Sequence, residues 1–154
     1  MGGNGSYSKE IGGVPDMART HVETNFRVGG HKVLLQDKNK MQAQMPMNSN
    51  SESPIYLIAT INKKGELEIK SFGIYDKHVI SKSVDLVFDS KGNLVPYNGT
   101  GKATHSHDWV EISPGIYGRK PHDKQNFHPI DSAYNSLLDS IVNFNKSKKK
   151  WTGN

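Results

Sequence analysis

The seven residues Ile55-Tyr56-Leu57-Ile58-Ala59-Thr60-Ile61 constrain this chain more than any other stretch. A half-buried strand alternates apolar and polar side chains, whereas this run is apolar almost throughout. It reads as a strand buried on both faces. The turn-forming Asn62-Lys63-Lys64-Gly65 follows it.

Further strand signals continue from there. Leu67, Ile69, Phe72 and Ile74 come in near-alternation, and Val79, Ile80, Val84, Leu86 and Phe88 extend the meander. Val84, Leu86 and Phe88 share one face by the period of two. After the turn Asp89-Ser90-Lys91-Gly92-Asn93, Leu94-Val95-Pro96-Tyr97 reads as a segment at a strand end or a sheet edge, because Pro96 lacks a donor. Upstream, Phe26-Arg27-Val28 and His31-Lys32-Val33-Leu34-Leu35 form a hairpin pattern around Gly29-Gly30. One helix is written clearly: Tyr134, Leu137, Leu138, Ile141, Val142 and Asn145 repeat with helical spacing, and Asp131 is placed to cap it. The expected fold is α+β, an antiparallel sheet of about five strands packed by one C-terminal helix. It forms a single domain over 26–146, after a flexible Gly-rich arm at 1–25 and before a basic tail at 147–154. There are no internal repeats and no second-domain linker.

Between the expected hairpin and Ile55 lies a long polar stretch with Met41, Met45, Met47 and the run Asn48-Ser49-Asn50-Ser51. Compact domains rarely spend that many residues on idle loop. It is expected either to cover a ligand or to move.

Composition removes several function classes. The chain of 154 residues has no cysteine, which excludes disulfides, thiolate metal sites and cysteine nucleophiles and fits a reducing, cytoplasmic setting. No apolar run reaches the roughly 18 residues of a membrane span, and the N-terminus shows no hydrophobic signal core. Met1-Gly2-Gly3-Asn4-Gly5-Ser6 fits the myristoylation pattern, but a Gly-rich arm explains the same residues. The net charge of +5 invites a nucleic-acid reading. Four of those charges belong to Lys146, Lys148, Lys149 and Lys150, in a tail with no acids. The body is therefore almost neutral, and such a tail reads as a solvated end.

The chemistry-bearing residues concentrate between His105 and His128, a stretch of 24 residues with four of the seven histidines. If Thr104-His105-Ser106-His107-Asp108-Trp109 is extended, His105, His107 and Trp109 face one way and Ser106 and Asp108 the other. Gly118-Arg119-Lys120-Pro121-His122-Asp123-Lys124 follows. Cleavage of a phosphodiester needs a group to take a proton, a group to give one, and cations on the developing charge. His105, His107 and His122 are the candidates for proton transfer. Arg119, Lys120 and Lys124 are the candidates for phosphate binding, and Trp109 and Tyr117 for base stacking. This leading reading requires no metal and no cofactor. In a competing reading His105 and His107 share an ion with His122 or Asp123 as third ligand. Thr-His-Ser-His-Asp superficially resembles the metallo-β-lactamase ligand motif, but Asp108 is misplaced, Trp109 follows it and the final histidine is missing. In a third reading these side chains only tie down irregular loops. Asp16, Glu23, Glu52, Asp85 and Asp139 read as turn, cap or solvated-face residues, and His21, His31 and His78 as structural.

Gly2-Gly3-Asn4-Gly5-Ser6-Tyr7-Ser8, Gly12-Gly13-Val14-Pro15, Arg19-Thr20-His21, Asn48-Ser49-Asn50-Ser51 and Gly118 to Lys124 carry a resemblance. It covers most of the chain. The sequence resembles a group of small uncharacterised proteins of bacterial prophages and mobile elements, some encoded near capsid-assembly genes. The resemblance implies a setting of phage–host conflict or phage assembly in a bacterial cytoplasm, with no catalytic residue to carry over. The expected function is a phosphate-directed site acting on RNA or a nucleotide, as in a metal-independent ribonuclease-like toxin. The alternatives are a non-catalytic anti-defence protein that sequesters a nucleotide signal or binds a host defence protein, and a phage head-associated structural protein.

Overall fold

In the computed structural model the described residues are 21–36, 45–49, 54–119 and 127–152. They build one seven-stranded sheet whose spatial order is the chain order. The strands are β1 (His21–Val28), β2 (His31–Gln36), β3 (Ile55–Ile61), β4 (Leu67–Asp76), β5 (Val79–Asp85), β6 (His105–Ser113) and β7 (Ile116–Arg119). One helix, α1 (Asn135–Lys146), packs on it after a 3-10 turn at Ser132–Tyr134. The α+β class stands, but the strands number seven rather than five, and the sheet is mixed. β2 and β3 run parallel, with Val33 opposite Leu57 and Leu35 opposite Ala59. The other pairs are antiparallel.

Two of the seven strands come from the polar stretch itself, as a β6–β7 hairpin turned at Gly115, which has a φ of +76°. Only the first residues of β6 are buried, so its sequence lacks the apolar signature of a core strand. β1 begins at His21, inside the segment expected to be an arm. Leu94–Tyr97 forms no full strand. It is held by a single bridge from Leu94 to Phe88 and by the Val95 N–H donating to Val87 O at 2.8 Å.

The run that opened the sequence reading is fully covered: Ile55 to Ala59 are all buried. Alternation sends Ile55, Leu57 and Ala59 to one face, where they join Val33, Phe72, Leu137 and Ile141. It sends Tyr56 and Ile58 to the other, where Leu34, Tyr75, Met45 and Met47 meet them. α1 covers the first face. The described part of the long Met-rich connection, residues 45–49, lies across the second. Tyr75 Oη donates to Pro46 O at 2.5 Å, and Ile80 N–H donates to Met47 O at 2.8 Å. A parallel pair needs a crossover of a dozen or more residues, so this stretch is long because of topology, and its methionines fill an irregular apolar gap. Gly73 leaves room for this cover, since a Cβ there would stand 2.7 Å from Met45 Sδ.

Asp131 caps the 3-10 turn and not α1 itself: Ala133 N–H donates to Asp131 Oδ1 at 2.9 Å, whereas α1 starts after Tyr134 without a side-chain cap. The basic tail, in contrast, is docked through Trp151. Leu67 N–H donates to Lys149 O at 2.8 Å, Trp151 N–H donates to Gly65 O at 3.1 Å, and the Trp151 ring packs on the helix-side core.

Asn145 clamps the helix to the sheet. Its Oδ1 accepts from Ile69 N–H at 2.8 Å and its Nδ2 donates to Ile69 O at 3.0 Å. β5 reaches only as far as Ser71, so the amide takes the place of a neighbouring strand. Asn145→Ala should cost about 1–3 kcal/mol, because it strands a backbone donor and acceptor in a partly buried place. Urea unfolding measures this, and a loss below about 0.5 kcal/mol would show that water satisfies Ile69 as well as Asn145 does.

Candidate functional site

The site forms where β5 meets β6. Asp85, the last residue of β5, lies directly opposite His105, and Ser83 lies opposite His107. Cross-strand pairing and the period of two put Ser83, Asp85, His105 and His107 on one face, the face that Met45 and Met47 cover farther along the sheet. Both imidazoles are buried, at 4% and 6% exposure. Their Nε2 atoms stand 3.0 Å apart. Each is 3.3 Å from Asp85 Oδ2. From the more open side, the Arg119 guanidinium reaches the same carboxylate, with Nη2 at 3.4 Å from Oδ1 and 3.2 Å from Oδ2.

The ring orientations are fixed from behind. His105 Nδ1 lies 2.6 Å from Ala103 O, which can only accept, so that nitrogen carries a proton. Phe127 sets its edge against both imidazoles, at centroid distances of 4.8 Å to His105 and 5.6 Å to His107. Phe127 is itself held close to Gly101, where a Cβ would stand 3.2 Å from the phenyl Cζ. The edge of β6 beside the site is closed by residue 128, whose backbone exchanges hydrogen bonds with Ser106 at 2.8 and 3.0 Å.

Burial pushes the Asp85 carboxyl up. The hydrogen bond from His107 and the charges of Arg119, His107 and His105 outweigh it and leave the carboxyl below its ordinary value. Asp85 is thus the anionic centre of a cluster otherwise made of nitrogen groups.

Among the sequence candidates, His105, His107 and Arg119 converge. Trp109 lies next along the same face, where its indole N–H donates to Ser83 Oγ at 2.8 Å. Trp109 and Tyr117 pack against the second apolar layer, part of each staying exposed, and Tyr117 N–H points at Met47 Sδ. His122, Asp123, Lys120 and Lys124 lie outside the described residues. His128 goes to the opposite face, with Nε2 3.7 Å from Asp108, which also takes Lys82 at 2.6 Å. Asp85 corrects the sequence reading: it is partly buried and paired with His105, His107 and Arg119, and is not a turn or solvated-face acid. The signal available for it was parity, since Val84 and Leu86 point into the helix-side core and Asp85 must point away. Nothing local in the sequence assigns Phe127 to the site.

Asp85, His105 and His107 each offer one ligand-type atom, and these atoms lie within 4.8 Å of one another. Three such atoms at one point are a donor set for a cation, with the partly exposed Asp85 and Arg119 on its outer side. Compared with known proteins, the chain matches no family model, and no curated protein or solved structure is significantly similar.

The Ala103 contact makes a sharp prediction about tautomers. In its neutral form His105 should carry its proton on Nδ1 and show a pyridine-type Nε2 in long-range nitrogen–proton correlation spectra. The opposite tautomer would mean that the Ala103 hydrogen bond does not form.

Proposed function

We propose that this chain acts on a phosphate-bearing ligand, RNA or a nucleotide, at the point where Asp85, His105 and His107 meet beside Arg119. The observation that carries this reading is the convergence of two buried imidazoles and one guanidinium on a single carboxylate at a partly open end of the sheet. Imidazole is a side chain that can both take and give a proton. A guanidinium fork suits a phosphate's paired oxygens, and Arg119 needs only to turn from Asp85 to offer one.

The geometry narrows the chemistry. An acid and a base that flank one phosphorus must stand roughly two hydrogen-bond lengths apart, or about 6 Å. His105 and His107 Nε2 are 3.0 Å apart, so they act as one unit and not as opposite partners. The reaction of such a unit is nucleophile activation. A water or 2′-hydroxyl oxygen bonds to phosphorus, its proton leaves at the cluster, the ester P–O bond breaks, and the departing oxygen gains a proton from solvent.

The test is turnover of an RNA and nucleotide panel by the purified chain. His107→Ala and Asp85→Asn should each lower the rate by about 10²–10⁴-fold, as for loss of a proton-transfer group. Recovery of one unchanged nucleotide from the protein would replace the enzymatic version with sequestration at the same residues. A chain that neither converts nor retains any member of the panel would overturn the proposal.

A further inference from the structure

Asp85, His105 and His107 turn one ligand-type atom each toward a common point. Since His105 Nδ1–H is committed to Ala103 O, the lone pair of the neutral ring sits on Nε2. That lone pair faces Asp85 Oδ2 at 3.3 Å and His107 Nε2 at 3.0 Å. His107 Nε2 completes a set of three ligand-type atoms facing one another, so a cation placed among them meets a lone pair of each.

The distances fit one. The three atoms form a triangle with edges of 3.0, 3.3 and 3.3 Å. The in-plane point equidistant from them is about 1.9 Å from each, so an ion held at roughly 2.0–2.2 Å, the range for zinc with nitrogen and oxygen ligands, sits about 1 Å out of that plane. The supporting contacts are also those of a ligand set. The far nitrogen of His105 donates to a backbone carbonyl, and Arg119 orients the carboxylate, as outer partners of metal ligands do. Phe127 walls both rings and lowers their freedom to turn away.

We propose that Asp85, His105 and His107 bind one divalent transition-metal ion, zinc by ligand type, with a further coordination position open to water. Two imidazoles and one carboxylate with an open position are a ligand set of catalytic rather than structural zinc. A zinc-bound water loses its proton near neutral pH. The ion therefore supplies the hydroxide that bonds to phosphorus as the ester P–O bond breaks and the departing oxygen is protonated by solvent. The use of the ion rests on the phosphate-directed reading above; its binding does not.

The experiment is zinc titration of the chelator-treated full chain, followed by calorimetry and by histidine nitrogen shifts. The wild type should bind one zinc per chain, with the shifts centred on Nε2 of His105 and His107 and the His105 Nδ1 proton retained. Asp85→Asn and His107→Gln should weaken binding at least 10-fold, with unchanged circular dichroism. If either variant fails to fold, the wild-type shifts alone decide. Shifts centred on His31, His78 or His128, or no stoichiometric binding, would overturn the site. A parallel RNA and nucleotide panel separates the two ideas. Zinc bound without turnover or retention of any ligand sinks only the phosphate reading, and full turnover by the chelated protein sinks only the metal.

Discussion

Strand β3 has no polar face to give to water, and the rest of the molecule is arranged around that fact. Burying both sides of Ile55 to Ala59 demands two covers, and the chain supplies two different ones. α1 closes the first face with Leu137 and Ile141. The connection that makes β2 and β3 parallel closes the second with Met45 and Met47. The crossover that parallel pairing requires thus also completes the core.

The candidate site lies on that second face, beyond the two methionines. β5 and β6 continue the face with Ser83, Asp85, His105 and His107, where Tyr56 and Ile58 stand in β3. At that end Phe127 packs on the imidazoles and residue 128 bridges to Ser106. The imidazoles are therefore desolvated, while Asp85 keeps partial exposure and Arg119 more. A buried polar cluster needs complete internal pairing. This one brings three ligand-type atoms together at one point, which makes it a receptive site.

Residue type alone carried much of this structure. The two-sided burial of β3 was legible in its unbroken apolar run, and α1 in its spacing. The shared face of His105 and His107 followed from strand parity. What stayed hidden depends on partners distant in sequence. Parallel pairing of β2 with β3 leaves no local mark. Asp85 looks like any polar residue in an alternating strand until β6 is laid beside it, and the link to His105 spans the whole Leu86–Thr104 connection. The basic tail looks solvated by charge, yet Trp151 and two backbone hydrogen bonds fix it against β4 and the turn before it. The β6–β7 hairpin was hidden because strands with one exposed face near a sheet edge can be built from polar residues.

The central claim is that three side chains from two adjacent strands form one ligand set. Anomalous diffraction at the zinc edge, from crystals of the chain grown with zinc, addresses it most directly. A single strong peak about 2.0–2.2 Å from Asp85 Oδ2, His105 Nε2 and His107 Nε2 is the predicted result. Ordered rings with no peak between them, or a peak only at surface histidines such as His128, would contradict the account.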